Sequence, residues 1–427
     1  MKKCDGNKQE TLYHYESISP KLDDPELVSF RDLVPDIINT GYLTHSTHYY
    51  PAKFIPQVVK YCIQKYSNEK DLIIDPFAGS GTVGLEAYIS NRDSFLLDIN
   101  PILNHIIPIK IYTGKQMLDK KILYAMLEDI EKSNSYFRPS WSNINYWYPD
   151  DFLEVLCRYW GYQKQLENGI YSHIIETSLI KVSKHFSYAE HKIPKLFKSK
   201  RKRKYIEEIL QNNWRKKIIK MIYGISLETL DNINQFIKLT KNLNPHVEYY
   251  GGVDSSSYEF EPTLKFNGLI TSPPYLQAQE YIRTSKLDLY WLGYNEKQIK
   301  NISRLEIPYR KPSRIISTKT LDDIKNDLKR KDLKRTSDSY FSHTIDTLER
   351  SMNKMKDGSN ACIFIGNPTV DGIPVEIWRI LKEYFVEKGY YFEGVYEDEI
   401  KTRQLFGSRN NKNPKGMKSE YMLILKK

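Results

Sequence analysis

Short apolar runs separated by glycine and polar turns mark both ends of the chain, whereas its middle alternates apolar and charged positions at helical spacing. The run at residues 71–75 (DLIID) predicts a strand, the glycine-rich stretch after it a turn, the residues up to Ser90 a helix, and residues 94–98 (SFLLD) a second strand. That order is a βαβ unit of a parallel sheet. Further runs at residues 247–250, 266–271, 361–366, 391–396 and 421–425 bring the expected strands to seven. Seven suffice for a doubly wound, mostly parallel α/β sheet of Rossmann type. The last two can pair as an antiparallel hairpin around a loop at residues 407–416. Stretches such as residues 120–132 and 205–223 read as helices, so a helical insertion into the sheet domain is expected. The expected layout is an N-terminal segment (1–40), a first half of the sheet domain (41–112), the insertion (113–245) and a second half (246–427).

Composition changes this picture in one respect. The formal charge of +11 suits a polyanionic partner, because clustered Lys and Arg displace counterions from phosphates. Its densest part is KIPKLFKSKRKRK at residues 192–204, with Lys192, Lys195, Lys198, Lys200, Arg201, Lys202, Arg203 and Lys204 as candidate phosphate contacts. A solvated charged helix has the same composition. The four cysteines form no C-x-x-C pair, so neither a disulfide framework nor a metal site is expected. No apolar run is long enough to span a bilayer and the first residues carry no apolar leader, so a cytoplasmic protein without membrane contact is expected.

Candidate chemistry begins at Asp75-Pro76-Phe77-Ala78-Gly79-Ser80-Gly81-Thr82-Val83-Gly84. Gly79, Gly81 and Gly84 satisfy G-x-G-x-x-G, in which missing Cβ atoms let a ligand approach the backbone. A tight strand-to-helix turn without a ligand uses the same glycines. No lysine follows to reach a terminal phosphate, which excludes a P-loop and leaves a nicotinamide dinucleotide or another adenosine-bearing ligand. Asp98, ending the next strand, is placed for ribose hydroxyls of either. Asp75 suits the amino group of a small zwitterion, whose carboxylate would face the helix N-terminus. Phe77 can lie against a sulfonium cation or simply pack in the core.

The second motif is Ser272-Pro273-Pro274-Tyr275, running directly out of an apolar strand. Consecutive prolines can neither continue a strand nor enter a helix easily, so they fix a rigid corner with outward carbonyls. Methylating an aromatic amine calls for such a corner. Its lone pair is delocalised into the ring, and acceptors for both N–H groups, here the Ser272 hydroxyl and the Pro273 carbonyl, favour rehybridisation toward a methyl donor. Tyr275 would stack on a base flipped out of its duplex. An ordinary strand-capping turn is the bland alternative.

Together these residues resemble the DNA amino-methyltransferases, which modify N4 of cytosine or N6 of adenine. Residues 75–82 match that family's cofactor motif, Thr271-Ser272-Pro273-Pro274-Tyr275 its catalytic motif, and His48-Tyr49-Tyr50-Pro51-Ala52-Lys53-Phe54-Ile55-Pro56 the segment that packs over the cofactor. Tyr281-Ile282-Arg283 and residues 286–293 (KLDLYWLG) resemble the helix after the catalytic loop in cytosine-N4 enzymes. The resemblance covers roughly residues 42–112 and 246–427.

It implies a class I S-adenosylmethionine-dependent fold, with cofactor residues Tyr50, Pro51, Lys53, Phe54, Asp75, Pro76, Phe77, Gly79, Gly81, Thr82, Asp98, Asn100 and Asp254. It further implies catalysis by Ser272, Pro273, Pro274 and Tyr275, double-stranded DNA as partner, and a separately encoded restriction endonuclease as companion. Serine before Pro-Pro-Tyr is typical of cytosine-N4 enzymes, Asp or Asn of adenine-N6 enzymes. C5 methylation of cytosine would need a cysteine after proline, and the chain has no Pro-Cys pair. An adenine-N6 enzyme, an RNA methyltransferase and an inactive DNA-binding module are the alternatives. The insertion precedes the strand leading to Asp254, whereas the commoner family arrangement places it after that strand.

Overall fold

All seven expected runs form strands, and an eighth joins them at one edge. The computed structural model describes residues 24–50, 53–190, 196–276, 281–307, 310–400 and 417–427. The strands are β1 (Glu26–Val28), β2 (Leu72–Asp75), β3 (Asp93–Asp98), β4 (Val247–Gly251), β5 (Phe266–Thr271), β6 (Met355–Gly366), the small pair β7 (Thr369–Val370) and β8 (Ile373–Pro374), β9 (Tyr391–Glu399) and β10 (Ser419–Lys426). The main sheet has the order β1-β9-β10-β6-β5-β2-β3-β4. Its pairings are parallel except the two made by β10. The antiparallel hairpin of β9 and β10 is therefore present, while its loop at 407–416 lies outside the described residues.

The extra strand β1 corrects the expected count. It has three residues with Leu27 65% exposed, too short and too weakly apolar to stand out in the sequence, and it pairs in parallel with β9. A second correction concerns residues 205–223, which do not form one helix. Helix Lys200–Leu210 ends and helix Trp214–Thr240 begins around Asn213, whose φ of 35° is left-handed, a conformation asparagine tolerates better than most residues.

Alternation along the central strands sends successive side chains to opposite faces. Ile73, Ile270, Cys362 and Phe364 pack with Val58, Val59 and Cys62 of helix Pro56–Tyr66. Their neighbours Ile74, Leu269, Ala361 and Ile363 pack instead with Phe341, Ile345, Trp378 and Leu381 of two helices on the other face. Both faces are covered, which is why the strands read as nearly continuous apolar runs. Helices between residues 120 and 240 build a third core around Phe152, Leu156, Trp160, Ile174 and Ile233. Ile102 and Ile106 after β3, and Leu287 and Trp291 after β5, belong to the same core, so these helices abut the carboxyl edge of the sheet.

From β2 the chain proceeds outward to β3 and β4, then returns to β5 on the opposite side of β2. The loops after β2 and β5 thus diverge at the carboxyl ends of adjacent strands, the position where open α/β sheets form their ligand crevice.

Candidate active site

A cleft of about 1080 Å³, including its open mouth, lies at that switch point. Its walls contain Asp75–Ser80 of the first loop, Ser272, Pro274 and Tyr275 of the second, and Tyr50, Lys53 and Phe54 of the preceding segment. Gly79 and Ser272, far apart along the chain, therefore line one cavity.

The glycine loop divides its work. Gly79 and Gly81 hold left-handed φ angles of 54° and 71°, which cost a side-chain-bearing residue about 1–2 kcal/mol. A Cβ on Gly79 would come 3.2 Å from Tyr50 Cε1, within the cleft wall. A Cβ on Gly81 would come 2.3 Å from Ile107 Cδ1, and one on Gly84 2.6 Å from Leu96 Cδ1. Of the three glycines, Gly79 leaves room at the cavity, while Gly81 and Gly84 let helix Thr82–Ile89 settle on its neighbours. Gly81 thus stands behind the cavity rather than in its wall.

Two carboxylates organise the cleft. Asp98 accepts hydrogen bonds from Gly79 N through Oδ2 and from Asn100 N through Oδ1, both at 2.7 Å. Its carbonyl accepts from Gly252 N and Val253 N, so one residue ties together the loops after β2, β3 and β4. Burial pushes its carboxyl up to about 6 against the pull of these N–H groups. Asp75 accepts from Thr271 Oγ1 at 2.6 Å and Phe77 N at 3.0 Å, both through Oδ1. Burial raises it to about 7.

Asp254, in the loop after β4, pairs with Arg310 at 2.8 Å and accepts from Ser256. Burial pushes its carboxyl up, but the Ser256 and Arg310 hydrogen bonds outweigh that and hold it below its ordinary value.

The segment before helix Pro56–Tyr66 closes over the glycine loop. Tyr50 is buried and stacks on Tyr281 at 6.1 Å between centroids, and Phe54 stacks on Phe364 at 5.4 Å. Lys53 donates to the His45 carbonyl at 2.5 Å, and burial lowers it to about 8. Pro51 lies outside the described residues. Pro76 accepts from Ser255 Oγ through its carbonyl at 2.8 Å, Phe77 lines the cleft while packing against the sheet core, and Thr82 opens the helix in the cleft wall.

In the second loop Ser272, Pro274 and Tyr275 face the cleft, while the Pro273 side chain is buried behind it. Tyr275 donates its hydroxyl to Glu420 Oε1 at 2.5 Å. Asn100 is likewise displaced from the expected set. Fully buried, it donates from Nδ2 to Ser285 Oγ at 3.0 Å and so fastens the loop after β3 to helix Tyr281–Leu292.

The basic stretch is largely engaged within the protein. Lys198 donates to the Tyr146 carbonyl at 3.0 Å and lies over the Tyr146 and Tyr188 rings. Arg201 grips Glu190, Arg203 pairs with Glu207 at 2.7 Å, and Lys202 is only 4% exposed. Lys200 and Lys204 are exposed, and Lys192 and Lys195 lie outside the described residues.

Several cleft residues escaped the sequence reading. Glu306, Arg310, Tyr340 and His343 line the wall but sit in no recognisable pattern. Lys110, fully buried, donates to the Ser80 carbonyl at 2.7 Å and braces the glycine loop from behind. A lone lysine inside the apolar run IIPIKIY was the available signal. Among the described residues no cluster of His, Cys, Asp or Glu could hold a metal ion, and no helix is long and apolar enough to cross a membrane.

Comparison with known proteins points the same way as this geometry. Residues 8–107 match the N6/N4 methyltransferase family, described as DNA methylase. The chain is 24% identical over 299 residues to the Type II methyltransferase M.BsoBI of Geobacillus stearothermophilus, spanning 65% of this chain and 58% of that protein. It is 23% identical over 435 aligned residues to the Type II methyltransferase M.MvaI of Kocuria varians, spanning 91% and 92% respectively. A shorter match, 37% over 99 residues, links it to the Type II methyltransferase M.MjaII of Methanocaldococcus jannaschii, spanning 22% of this chain and 19% of that protein.

Proposed function

Because the chain belongs to the DNA amino-methyltransferase family, we propose that it transfers a methyl group from S-adenosylmethionine to N4 of cytosine in double-stranded DNA, as the modification enzyme of a restriction-modification system. The observation that carries this reading is the shared cleft of Gly79 and Ser272, the two loops to which cofactor and amine are assigned in this proposal. S-adenosylmethionine supplies an electrophilic methyl group on a sulfonium centre. The residues present fit it. Gly79 leaves open a cradle that a Cβ would fill against Tyr50, and the donor set is acidic where the cofactor is cationic or bears hydroxyls. Asp75 would hold its amino group, Asp98 its ribose and Asp254 the neighbourhood of its adenine, with Tyr50 and Phe54 covering one side.

On the substrate side, Ser272 Oγ and the Pro273 carbonyl accept the two N–H groups of the amine, and Tyr275 carries the ring. Holding both N–H groups localises the nitrogen lone pair, and the fixed Pro-Pro corner makes this an effect of orientation rather than of covalent catalysis. Serine at the first position of the loop, rather than Asp or Asn, supports cytosine as the target.

Residues 113–245 are assigned to target recognition. Helix Ile170–His185 joins this part of the chain to the sheet domain, through Lys181 to the Ser46 carbonyl at 3.3 Å and through Lys184 to Asp288 at 3.5 Å. The deciding experiment incubates the protein with unmethylated DNA and labelled S-adenosylmethionine, digests to nucleosides and identifies the product by mass spectrometry. N4-methyl-2′-deoxycytidine is expected; N6-methyl-2′-deoxyadenosine would move the target to adenine, and no methylated nucleoside would overturn the reading.

A further inference from the structure

The Pro-Pro corner fixes the backbone of the second loop, but it cannot fix the Tyr275 ring, which turns about its own side-chain bonds. The structure shows what does. Tyr275 Oη donates to Glu420 Oε1 at 2.5 Å, across 145 positions of sequence. Glu420 lies at the start of β10, in register with Gly366 at the end of β6. Gly366 in turn provides the floor: a Cβ there would come 3.1 Å from Tyr275 Cε2 and 2.5 Å from Met417 Sδ. The ring therefore rests over bare backbone and is gripped at its far end by a carboxylate from a different strand.

We infer that Glu420 is a positioning residue for methyl transfer, setting the orientation of the Tyr275 ring that carries the target base; this rests on the reading of Ser272–Tyr275 as the amine-binding loop. Two physical effects follow from the bond. A ring held at both ends presents one face to the cavity, and a misplacement of about 1 Å in such a platform can cost on the order of a hundredfold in rate. A phenol donating to an acceptor as strong as a carboxylate also gains electron density in its ring. An aromatic amine becomes cationic as its nitrogen takes a methyl group and before its proton departs to water, and an electron-rich ring face attracts that charge. Burial and the neighbouring Asp398, paired opposite Glu420 on β9, push the Glu420 carboxyl up, while the Tyr275 hydrogen bond pulls it down. The Tyr275 hydroxyl thus works against burial and Asp398 in favour of the carboxylate form of Glu420.

The test is a double-mutant cycle on the full chain, with single-turnover methylation of DNA and calorimetric S-adenosylmethionine affinity as separate readouts. E420L and Y275F each remove the bond from one end, and each is expected to lower turnover about tenfold with cofactor affinity unchanged. The pair together should lose no more than either alone, and E420Q, which still accepts a hydrogen bond, should recover most of what E420L loses. The Tyr275 hydroxyl also meets Ser272, so Y275F alone does not isolate Glu420, and E420A takes the place of E420L in the cycle if E420L fails to fold. Multiplying losses in the double variant, or turnover within twofold of wild type in both singles, overturns the inference. Y275A separates this from the underlying reading. If Y275A is inactive while E420L and Y275F turn over normally, the loop keeps its role and Glu420 loses its own; if Y275A methylates DNA normally, both fall.

Discussion

Thr271 Oγ1 donates to Asp75 Oδ1 at 2.6 Å, joining the last residue of β5 to the last residue of β2. One loop of the cleft is therefore tied to the other immediately below the cavity. Thr271 also restrains the Asp75 carboxyl, whose burial raises it and whose Thr271 and Phe77 hydrogen bonds lower it. T271V keeps the shape of the side chain and removes the donor. Asp75 should then titrate still higher, and S-adenosylmethionine affinity at pH 7 should fall because a neutral acid does not hold the cofactor's amino group. Calorimetric titrations from pH 6 to 8 should show the rise of affinity moving to higher pH in the variant. An equal deficit at every pH would mean that Thr271 acts on loop geometry alone.

The same burial makes ligand-free stability depend on pH in a defined direction. Asp75 is raised to about 7, Asp98 to about 6 and Glu86 to about 7, in each case first by burial. A carboxyl whose folded value lies above its unfolded value near 4 favours the folded state fully while protonated in both, and that contribution is lost as pH rises through the folded value. From these three groups, the ligand-free protein should lose stability between about pH 4.5 and 7.5. Glu86 also takes hydrogen bonds from Tyr42 and His45, so its share is tempered. Cofactor binding should offset the loss at Asp75 and release protons near pH 6. Calorimetry in two buffers of different ionisation enthalpy counts those protons, and none released would remove Asp75 from the amino-group site.

Sequence and structure agree most closely where chemistry and local pattern coincide. The strands at 72–75 and 266–271 are buried on both faces, so their apolar runs are continuous, and the motifs that follow them are contiguous. Agreement fails where a role depends on another part of the chain. Gly81 satisfies the fingerprint, yet its missing Cβ accommodates Ile107 rather than a ligand, a fact that only the packing of two helices decides. Asn100 follows Asp98 closely but turns toward Ser285. Arg310 lines the cleft and Glu420 holds Tyr275, both from distant segments, and no local spacing marks them. Lys202 sits amid a basic run but on the inward face of an amphipathic helix, beside Ile206 and Ile209, where the run's charge hides the periodicity.

Gly81 provides a test of that division between packing and binding. G81A meets two penalties, a left-handed φ of 71° and a Cβ 2.3 Å from Ile107 Cδ1. Together they should cost roughly 2–4 kcal/mol of stability, about 1–2 of it from the backbone. Because the clash is with the far end of a flexible side chain, I107V added to G81A should restore the steric part and leave the backbone part. Chemical denaturation of the two variants checks this. Full recovery in the double variant would mean the backbone conformation costs nothing.

Ser272→Ala separates the amine site from the cofactor site. Ser272 faces the cleft beside Pro274, whereas the carboxylates assigned to the cofactor belong to the loops after β2, β3 and β4. Removing its hydroxyl should lower the rate constant for methyl transfer by about ten- to a hundredfold, with S-adenosylmethionine affinity within twofold. Rapid-quench measurement of the single-turnover rate, paired with calorimetry, distinguishes the outcomes. Equal losses in both would place Ser272 with the cofactor instead.

For the nucleic-acid surface, the pairing of its charges decides which substitutions matter. Arg201 and Arg203 already face Glu190 and Glu207, so releasing them to a phosphate would leave those acids unpaired, and Lys202 would have to leave a buried position. Lys200 and Lys204 are exposed on the same helix and need no such exchange. If that helix tracks the DNA backbone, replacing both with alanine should weaken binding to specific and nonspecific duplexes alike. It should also reduce the slope of log affinity against log salt by about 0.9 for each phosphate no longer neutralised. Fluorescence titrations of a labelled duplex across a series of salt concentrations measure that slope directly. An unchanged slope in K200A/K204A would show that the phosphates are met by another surface.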